Sequence, residues 1–264
     1  MIRKYIEKYL ISRKSFNEFE AKYQNITMDL SQALNQVKTE LDVLKHSVHQ
    51  ETLIRNNFSD HYIPWREKRV TEIIRHFSPL WFRGKKILEL GCGYGEVGKN
   101  FEGLGAVVTY CDARQEHLDV ILKHRPHCKV VKADINNEWP FEEKFDLIVH
   151  MGVLYHLDNM SFSIAKAMES AYHIVLETEV CDSNDPMFNL AVEENILGYD
   201  QSVTGLGSRP SVAYVERLVD VGKPKSMTRL RSSACDSNFH QYSWEITDTK
   251  RWEHGLRSMW FIDC

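Results

Sequence analysis

The sequence predicts a doubly wound α/β fold, a parallel sheet covered by helices on both faces and preceded by a helical segment. Three observations predict it. The chain has no proline before Pro64 and no glycine before Gly84, so its first part lacks helix breakers. From residue 85, short β-rich apolar runs alternate with helical stretches, the pattern of βαβ units. The first of those runs ends in a glycine-rich loop, Gly91-Cys92-Gly93-Tyr94-Gly95, and a helical pattern follows it. The 264 residues suit one large domain with an appendage, and we divide them into a helical segment over 1–58 and an α/β domain over 59–264.

Taken in order, Tyr23, Leu30, Val37 and Leu44 fill one heptad position of the leading segment, and Thr27, Leu34, Leu41 and Val48 fill the other. Such a seam suits a short coiled coil, which would make the protein a homo-oligomer, or an amphipathic helix packed on its own domain. Residues 85–90 read as a buried strand ended by Gly91, with helical sequence to about 105. Strand 107–111, helix 114–125 ended by Pro126, and strand 129–133 come next. Strand 145–151, helix 161–171 and strand 173–179 continue the alternation. The stretch 181–208, carrying Gly, Asn, Asp and Ser, reads as an irregular cover or lid. A helix over 209–222 is opened by Pro210 and Ser211, and 227–232 with 257–263 suit an edge hairpin.

Composition excludes several classes. An apolar fraction of 43% with 27% charged residues rules out a disordered chain, a collagen-like chain and a disulfide-dense miniprotein. A net charge of −4 provides no global basic field for nucleic acid or anionic membrane. No run approaches the length of a transmembrane helix, and Glu7 and Lys8 interrupt the N-terminus before a signal-peptide core forms. Six cysteines without a CxxC pair read as reduced thiols of a cytoplasmic protein.

The glycine loop narrows the ligand. A dinucleotide-binding loop needs its third glycine at position 96, which is Glu96, and a carboxylate there repels a pyrophosphate held on the helix N-terminus. No P-loop pattern occurs. The loop therefore suits a bulky group that brings no phosphate to it, and S-adenosylmethionine fits: an adenosine, a zwitterionic amino acid and a cationic sulfur. Glu89 adds negative charge where an ammonium or sulfonium is welcome. Asp112 ends the second strand, where a carboxylate accepts from two ribose hydroxyls. Asp134 ends the third, placed for an adenine amino group, with Ile135 against the ring face.

The runs ILELGCGYGEVG (87–98), YCDAR (110–114), VVKADI (130–135) and FDLIVHMGVLYHL (145–157) resemble the ordered motifs of the class I S-adenosylmethionine-dependent methyltransferases. That resemblance implies a seven-stranded, mostly parallel Rossmann-like sheet with one antiparallel strand. It also implies that Gly91, Gly93 and Gly95 line the methionine part, that Asp112 holds the ribose and Asp134 with Ile135 the adenine, and that Met151 sits beside the sulfur. HFSPLWFRGKKILELGCG, MGVLYH and IVLETEV are similar, more narrowly, to the bacterial tRNA wobble-uridine carboxymethyltransferases, which use carboxy-S-adenosylmethionine. Tyr155 and Arg257 fall where those enzymes contact the cofactor carboxylate, and Trp65-Arg66 echoes their upstream segment. RPSVAYVERLVDVG, HQYSWE and GLRSMWF are similar to methyltransferases encoded among surface-polysaccharide genes.

Methyl transfer from a sulfonium asks the protein mainly to align the reactants and exclude water, with a base needed for a hydroxyl or a protonated amine. His156, just past the fourth strand, is the candidate base, and the alternative is a histidine that caps the next helix. Tyr155 contacts cofactor or substrate, or packs in the core. Alternation sends Glu177 and Glu179 to one face, where they orient an acceptor or cap a loop. Glu177 and Arg257 are the candidate acceptor-binding pair. His240, Tyr242 and Trp244 alternate as a pocket cover or an edge strand. The run His124-Arg125-Pro126-His127-Cys128 reads as structural, on the far side of the sheet, and nothing in the sequence argues for an obligatory metal.

The resulting expectation is methyl transfer to an oxygen or nitrogen of a small molecule or saccharide. A tRNA-modifying enzyme is one alternative, its basic groups being Lys223, Lys225, Arg229, Arg231, Lys250 and Arg251. A non-catalytic oligomeric module that binds S-adenosylmethionine is the other.

Overall fold

The computed structural model describes residues 2–59, 62–198, 200–252 and 255–264. The chain divides into two compact units, Met1–Ile63 and Pro64–Cys264. The first is dominated by one 58-residue helix, α1 (Ile2–Ser59), about 87 Å long at 1.5 Å per residue. Phe16, Phe19, Tyr23, Ile26, Leu30, Leu34, Val37 and Leu41 lie within about 80° of one another at 100° per residue, and each is at least 45% exposed. The stripe is longer than the expected seam, because Phe16 and Phe19 extend it toward the N-terminus and Ile26 adds to it. Thr27 at its edge turns its hydroxyl to the carbonyls of Tyr23 and Gln24, 3.0 and 2.8 Å away. The side chains of Leu44 and Val48 lie outside the described residues.

The second unit takes in helix α2 (Tyr62–Phe77) from Pro64 on, which leads to strand β1 (Lys86–Leu90), a short helix α3 (Gly98–Glu102) and strand β2 (Val107–Asp112). Helix α4 (Gln115–His124), strand β3 (Lys129–Lys132), strand β4 (Phe145–Met151), helix α5 (Met160–Ser170) and strand β5 (Ala171–Glu179) follow. Strands β6 (Asn189–Glu193) and β7 (Leu206–Pro210), helix α6 (Val212–Val221), and strands β8 (Ser226–Arg229) and β9 (Arg257–Asp263) complete the chain.

Seven strands form one sheet in the order β3-β2-β1-β4-β5-β9-β8. All neighbours run parallel except at β9, which is antiparallel to both β5 and β8. From β1 the chain winds outward to β3 and then returns to pair β4 on the other side of β1. That reversal opens a crevice at the carboxyl ends of the strands, the usual ligand position of open α/β sheets. Leu88, Leu90, Ile148, Leu176 and Trp260 are buried in the core, as expected for strands covered on both faces. Trp260 is fully buried and donates its indole N–H to Glu216 of α6 at 3.0 Å.

The expected hairpin at the sheet edge is present, β8 at the edge pairing antiparallel with β9, which lies between it and β5. Three expectations change. Turns occupy most of 91–97, so the helix after the glycine loop is α3 alone. The cover is not wholly irregular: β6 and β7 pair as an antiparallel ribbon, with Ala191 opposite Ser208. Because Leu206–Pro210 is strand, the next helix starts at Val212, capped by the Ser211 hydroxyl, which accepts from the Tyr214 amide at 2.9 Å.

The long connection from β8 to β9 is anchored by Asp182. Its carboxylate accepts from the Thr247 amide (2.7 Å), the Thr247 hydroxyl (2.6 Å) and the Thr249 amide (3.2 Å). Burial alone would raise this carboxyl, but these bonds hold it well below the usual carboxylate range. No helix among the described residues is long and apolar enough to cross a membrane.

Replacing Trp260 with Ala empties the core beneath α6 and leaves Glu216 without its donor. Urea unfolding of Trp260→Ala is expected to report a loss of about 3–5 kcal/mol.

Candidate active site

The glycine loop opens the crevice. Gly91 and Gly93 have φ of 60° and 51°, conformations open to glycine at little cost. A Cβ on Gly91 would lie 2.6 Å from Val153, whereas one on Gly93 meets nothing within 4 Å and would project into free space. The loop is pinned on several sides. The Cys92 amide donates to the Cys111 carbonyl at 3.0 Å, and the Gly93 amide to Asp112 Oδ2 at 2.9 Å.

Glu89 accepts from the Gly98 amide at 2.8 Å. Burial, only partly offset by that amide, pushes its carboxyl up to about 8. Through Gly98 this carboxyl group holds the loop. Arg125 corrects a second expectation. Far from lying remote from the site, its Nη2 donates to the Gly95 carbonyl at 3.1 Å, while Nη1 donates to Glu102 and to the Tyr110 hydroxyl.

Asp112 is buried at the end of β2. Its Oδ1 accepts from the Arg114 amide at 2.9 Å, leaving further lone pairs on both oxygens. His117, on the first turns of α4, is buried with its Nδ1 3.1 Å from Asp112 Oδ1 but not aligned for a bond. Neither of its ring nitrogens has a hydrogen-bond partner. Asp134 is half-buried and bends back to accept from the Asn136 amide at 3.1 Å. Ile135 is 4% exposed and belongs to the apolar core. Met151 is buried at the end of β4, opposite Glu177 of β5.

Beyond Met151 stands a chain of alternating charges. Arg69 Nη1 lies 3.3 Å from Glu177 Oε2, and Arg257 Nε lies 2.6 Å from Glu177 Oε1. Arg257 Nη1 is 3.8 Å from Glu179 Oε2, and Arg209 Nε is 3.2 Å from Glu179 Oε1. Arg209 Nη1 is 3.3 Å from Glu194 Oε1, and Glu194 Oε2 is 2.5 Å from His156 Nδ1. No side chain in this series is more than 12% exposed.

Glu177 illustrates the electrostatics. Burial would raise it, yet the Arg257 and Arg69 guanidiniums outweigh burial and hold it at about 2. Glu177 and Arg257, expected to face an acceptor, are instead partners of each other, since each needs the other's charge once both are buried.

Aromatic side chains wall this chain. The Arg209 and Arg257 guanidiniums each lie 5.0 Å from the centre of the Tyr155 ring. The Tyr242 hydroxyl donates to Glu177 at 2.8 Å and accepts from the Trp65 indole at 3.1 Å. His240 stacks on Trp65 at 3.7 Å, and Trp244 donates to the Arg257 carbonyl. The alternating trio is thus neither an edge strand nor a simple pocket cover; it packs around the charges. Arg114 ties the two halves of the crevice together: its Nη2 donates to the carbonyls of Ile196 (3.3 Å), Gly198 (2.8 Å) and Gln201 (3.1 Å), between β6 and β7.

Sequence reasoning missed His117, Arg69, Arg209 and Glu194. His117 and Arg69 sit on helix faces that read as ordinary core or surface, and Arg209 and Glu194 lie in the stretch read as irregular. No group of three or more His, Cys, Asp or Glu among the described residues is placed to hold a metal ion.

Residues 87–176 match a family model described as a methyltransferase domain. The ubiquinone biosynthesis O-methyltransferase of Pelagibacter ubique is 22% identical over 178 residues, covering 62% of this chain and 70% of that relative. The mitochondrial enzyme of the same name from Schizosaccharomyces pombe is 24% identical over 204 residues, covering 74% and 67%. Among solved structures, the N-terminal domain of EvdMO1, in the presence of SAH and D-fucose, superposes with a TM-score of 0.58 at 16% identity, covering 78% of this chain and 84% of that one. An S-adenosylmethionine-dependent methyltransferase from Mesorhizobium loti gives 0.53 at 14%, covering 73% and 96%. These structural likenesses establish the fold.

Glu177→Ala leaves two buried guanidiniums short of a counter-charge and is expected to cost about 3–5 kcal/mol in chemical denaturation. Because Glu177 is held at about 2, below its ordinary 4.5, the stability it contributes is complete above the ordinary value and lost as pH falls toward 2. Thermal unfolding across that acid range is expected to fall more steeply in the unaltered protein than in Glu177→Gln.

Proposed function

This chain is a class I S-adenosylmethionine-dependent methyltransferase, and from that premise we propose that it methylates an oxygen or nitrogen of a small molecule or saccharide, with His156 as base. The observation that carries the acceptor class is the histidine: His156 stands just past β4 with Nδ1 on Glu194, which leaves Nε2 to take a proton. A base has work to do only where the acceptor is a hydroxyl or a protonated amine. The similarity to the EvdMO1 domain, studied with D-fucose, supports a saccharide.

The cofactor pocket fits on its own geometry. Free space faces Gly93, Asp112 retains lone pairs, and the unpartnered nitrogens of His117 lie beside it. Gly91, Gly93 and Gly95 would line the methionine part, Asp112 would hold the ribose, Asp134 the adenine, and Met151 would lie beside the sulfur. When bound, S-adenosylmethionine supplies a methyl group on a positively charged sulfur that leaves as a neutral thioether. His156 Nε2 accepts the acceptor's proton as the new oxygen–carbon or nitrogen–carbon bond forms, and Glu194 carries the matching negative charge. Tyr155, beside His156 with ring centroids 4.0 Å apart, shields the exchange from water.

A tRNA acceptor is less well supported. Of the basic residues that suggest it, Lys225 donates to the Cys264 carbonyl and Arg229 lies 4.0 Å from Glu216.

Calorimetry with S-adenosylmethionine is expected to show binding that is lost in Asp112→Ala and kept in His156→Ala. With an acceptor found by screening sugars for release of S-adenosylhomocysteine, His156→Ala is expected to slow transfer roughly 10²–10⁴-fold. Binding without turnover on any acceptor would favour the non-catalytic module, and an unchanged rate in His156→Ala would remove the base.

We also propose that α1 pairs with a second copy of the chain. Its stripe from Phe16 to Leu41 is exposed and repeats the three- and four-residue spacing by which two such helices interlock. Light scattering of the full chain is expected to report an oligomer that Leu34→Glu with Val37→Glu converts to a monomer with S-adenosylmethionine binding intact.

A further inference from the structure

The ribbon β6–β7 carries a carboxylate into the transfer site. Glu194 follows β6 directly, and its side chain is 3% exposed. Oε2 lies 2.5 Å from His156 Nδ1 and also accepts from the Ser202 amide at 2.7 Å. Oε1 lies 3.3 Å from Arg209 Nη1, and that same nitrogen donates to the Tyr155 carbonyl at 3.4 Å. Both carboxylate oxygens are thus fixed by groups from β7 and from the turn before it, so the carboxylate cannot swing away from the imidazole without breaking several bonds.

Gly207 makes the room. A Cβ on Gly207 would overlap Glu194 Oε1 and lie 2.9 Å from the Tyr155 carbonyl oxygen. The residue opposite Gly207 on β6 is Val192, so the ribbon's register delivers Glu194 to this gap.

We infer that Glu194 is the positioning residue for His156: it fixes the hydrogen on Nδ1, turns bare Nε2 toward the acceptor, and balances the charge once Nε2 has taken a proton. This rests on the reading of His156 as base. The charged and titratable groups that face the pair are Arg209 from β7, Tyr155 from the segment after β4, Glu179 from β5 through Arg209, and Arg257 from β9 over the Tyr155 ring. The proton balance is simple: one hydrogen stays on Nδ1 in its bond to Glu194, and the acceptor's proton arrives on Nε2. The carboxylate remains ionised throughout, held by Arg209 and the Ser202 amide. A neutral imidazole without such a partner prefers its hydrogen on Nε2, which would present a donor to the acceptor and block proton removal.

The test reads the tautomer directly. Full-length protein labelled at histidine with ¹⁵N is examined by NMR, His156 being assigned by the signal lost in His156→Gln. In the unaltered protein the neutral ring is expected to carry its hydrogen on Nδ1. In Glu194→Ala the hydrogen is expected on Nε2, whereas Glu194→Gln, whose side-chain carbonyl still accepts, is expected to keep it on Nδ1. Gly207→Ala, which pushes the carboxylate away and leaves it in the chain, is expected to resemble Glu194→Ala, and calorimetry with S-adenosylmethionine confirms the fold of each variant.

A ring that carries its hydrogen on Nε2 in the unaltered protein, or on Nδ1 in Glu194→Ala, overturns the inference. Failure of the base reading is visible separately, as an undiminished transfer rate in His156→Gln. Where that rate does fall, Glu194→Ala is expected to lower kcat about tenfold or more with KM for S-adenosylmethionine unchanged.

Discussion

Six side chains of alternating charge, running from Arg69 through Glu177, Arg257, Glu179 and Arg209 to Glu194, whose far oxygen lies against His156, hold this part of the molecule together. Removing each ion from water costs several kcal/mol, and only close neighbours of opposite sign offset that cost. Each interior member has such a neighbour on both sides. The series draws on α2, β5, β9, β7 and the residue after β6, so none of these elements can shift alone without stranding a charge. The sheet contributes by register: Glu177 and Glu179 are two apart on β5 and share a face, and Glu179 lies directly opposite Arg257 on antiparallel β9. The single antiparallel strand is thus what sets an arginine against the acids of β5.

The glycine-loop side is built differently, from backbone more than from charge. Around the reversal between β1 and β4, loop amides, an acid at a strand end and Glu89 on the Gly98 amide shape a space next to Gly93. Arg114 joins the two sides. It lies two residues past Asp112, and its guanidinium grips three carbonyls of the turn that links β6 to β7. The same ribbon carries Glu194 and Arg209. A single connected set of contacts therefore runs from Asp112 to His156, through a segment whose composition alone reads as loop.

The candidate site was legible where its signal is local. A glycine loop after a strand and an acid at each of the next two strand ends are features of short stretches, and Gly91, Gly93, Asp112 and Asp134 stand where the spacing places them. His156 and Tyr155 were legible as neighbours of a strand end. Glu177 and Arg257 were found, but with the wrong outlook, because nothing local tells that they meet across 80 residues. Arg69 reaches Glu177 across 108 residues, and no spacing rule covers such a pair. The burial of Ile135 in the core was likewise beyond local reading, because whether a side chain faces outward or inward depends on the turn of a few residues after a strand. Arg125, read as remote, reaches the loop because α4 brings its C-terminal end under Tyr110.

By itself the sequence determined the strand–helix alternation, the helical leading segment and the chemistry of the glycine loop, since hydrophobic period, helix breakers and backbone freedom act over a few residues at a time. It also determined that Asp112 ends β2, whereas β3 stops at Lys132, two residues before Asp134. The interior place of β9, the pairing of β6 with β7, the partners of Glu177 and Arg257, and the meeting of Glu194 with His156 were decided only in the tertiary structure. Those outcomes depend on burying charge against charge, and the free energy of a buried ion is set by whatever distant group is folded against it.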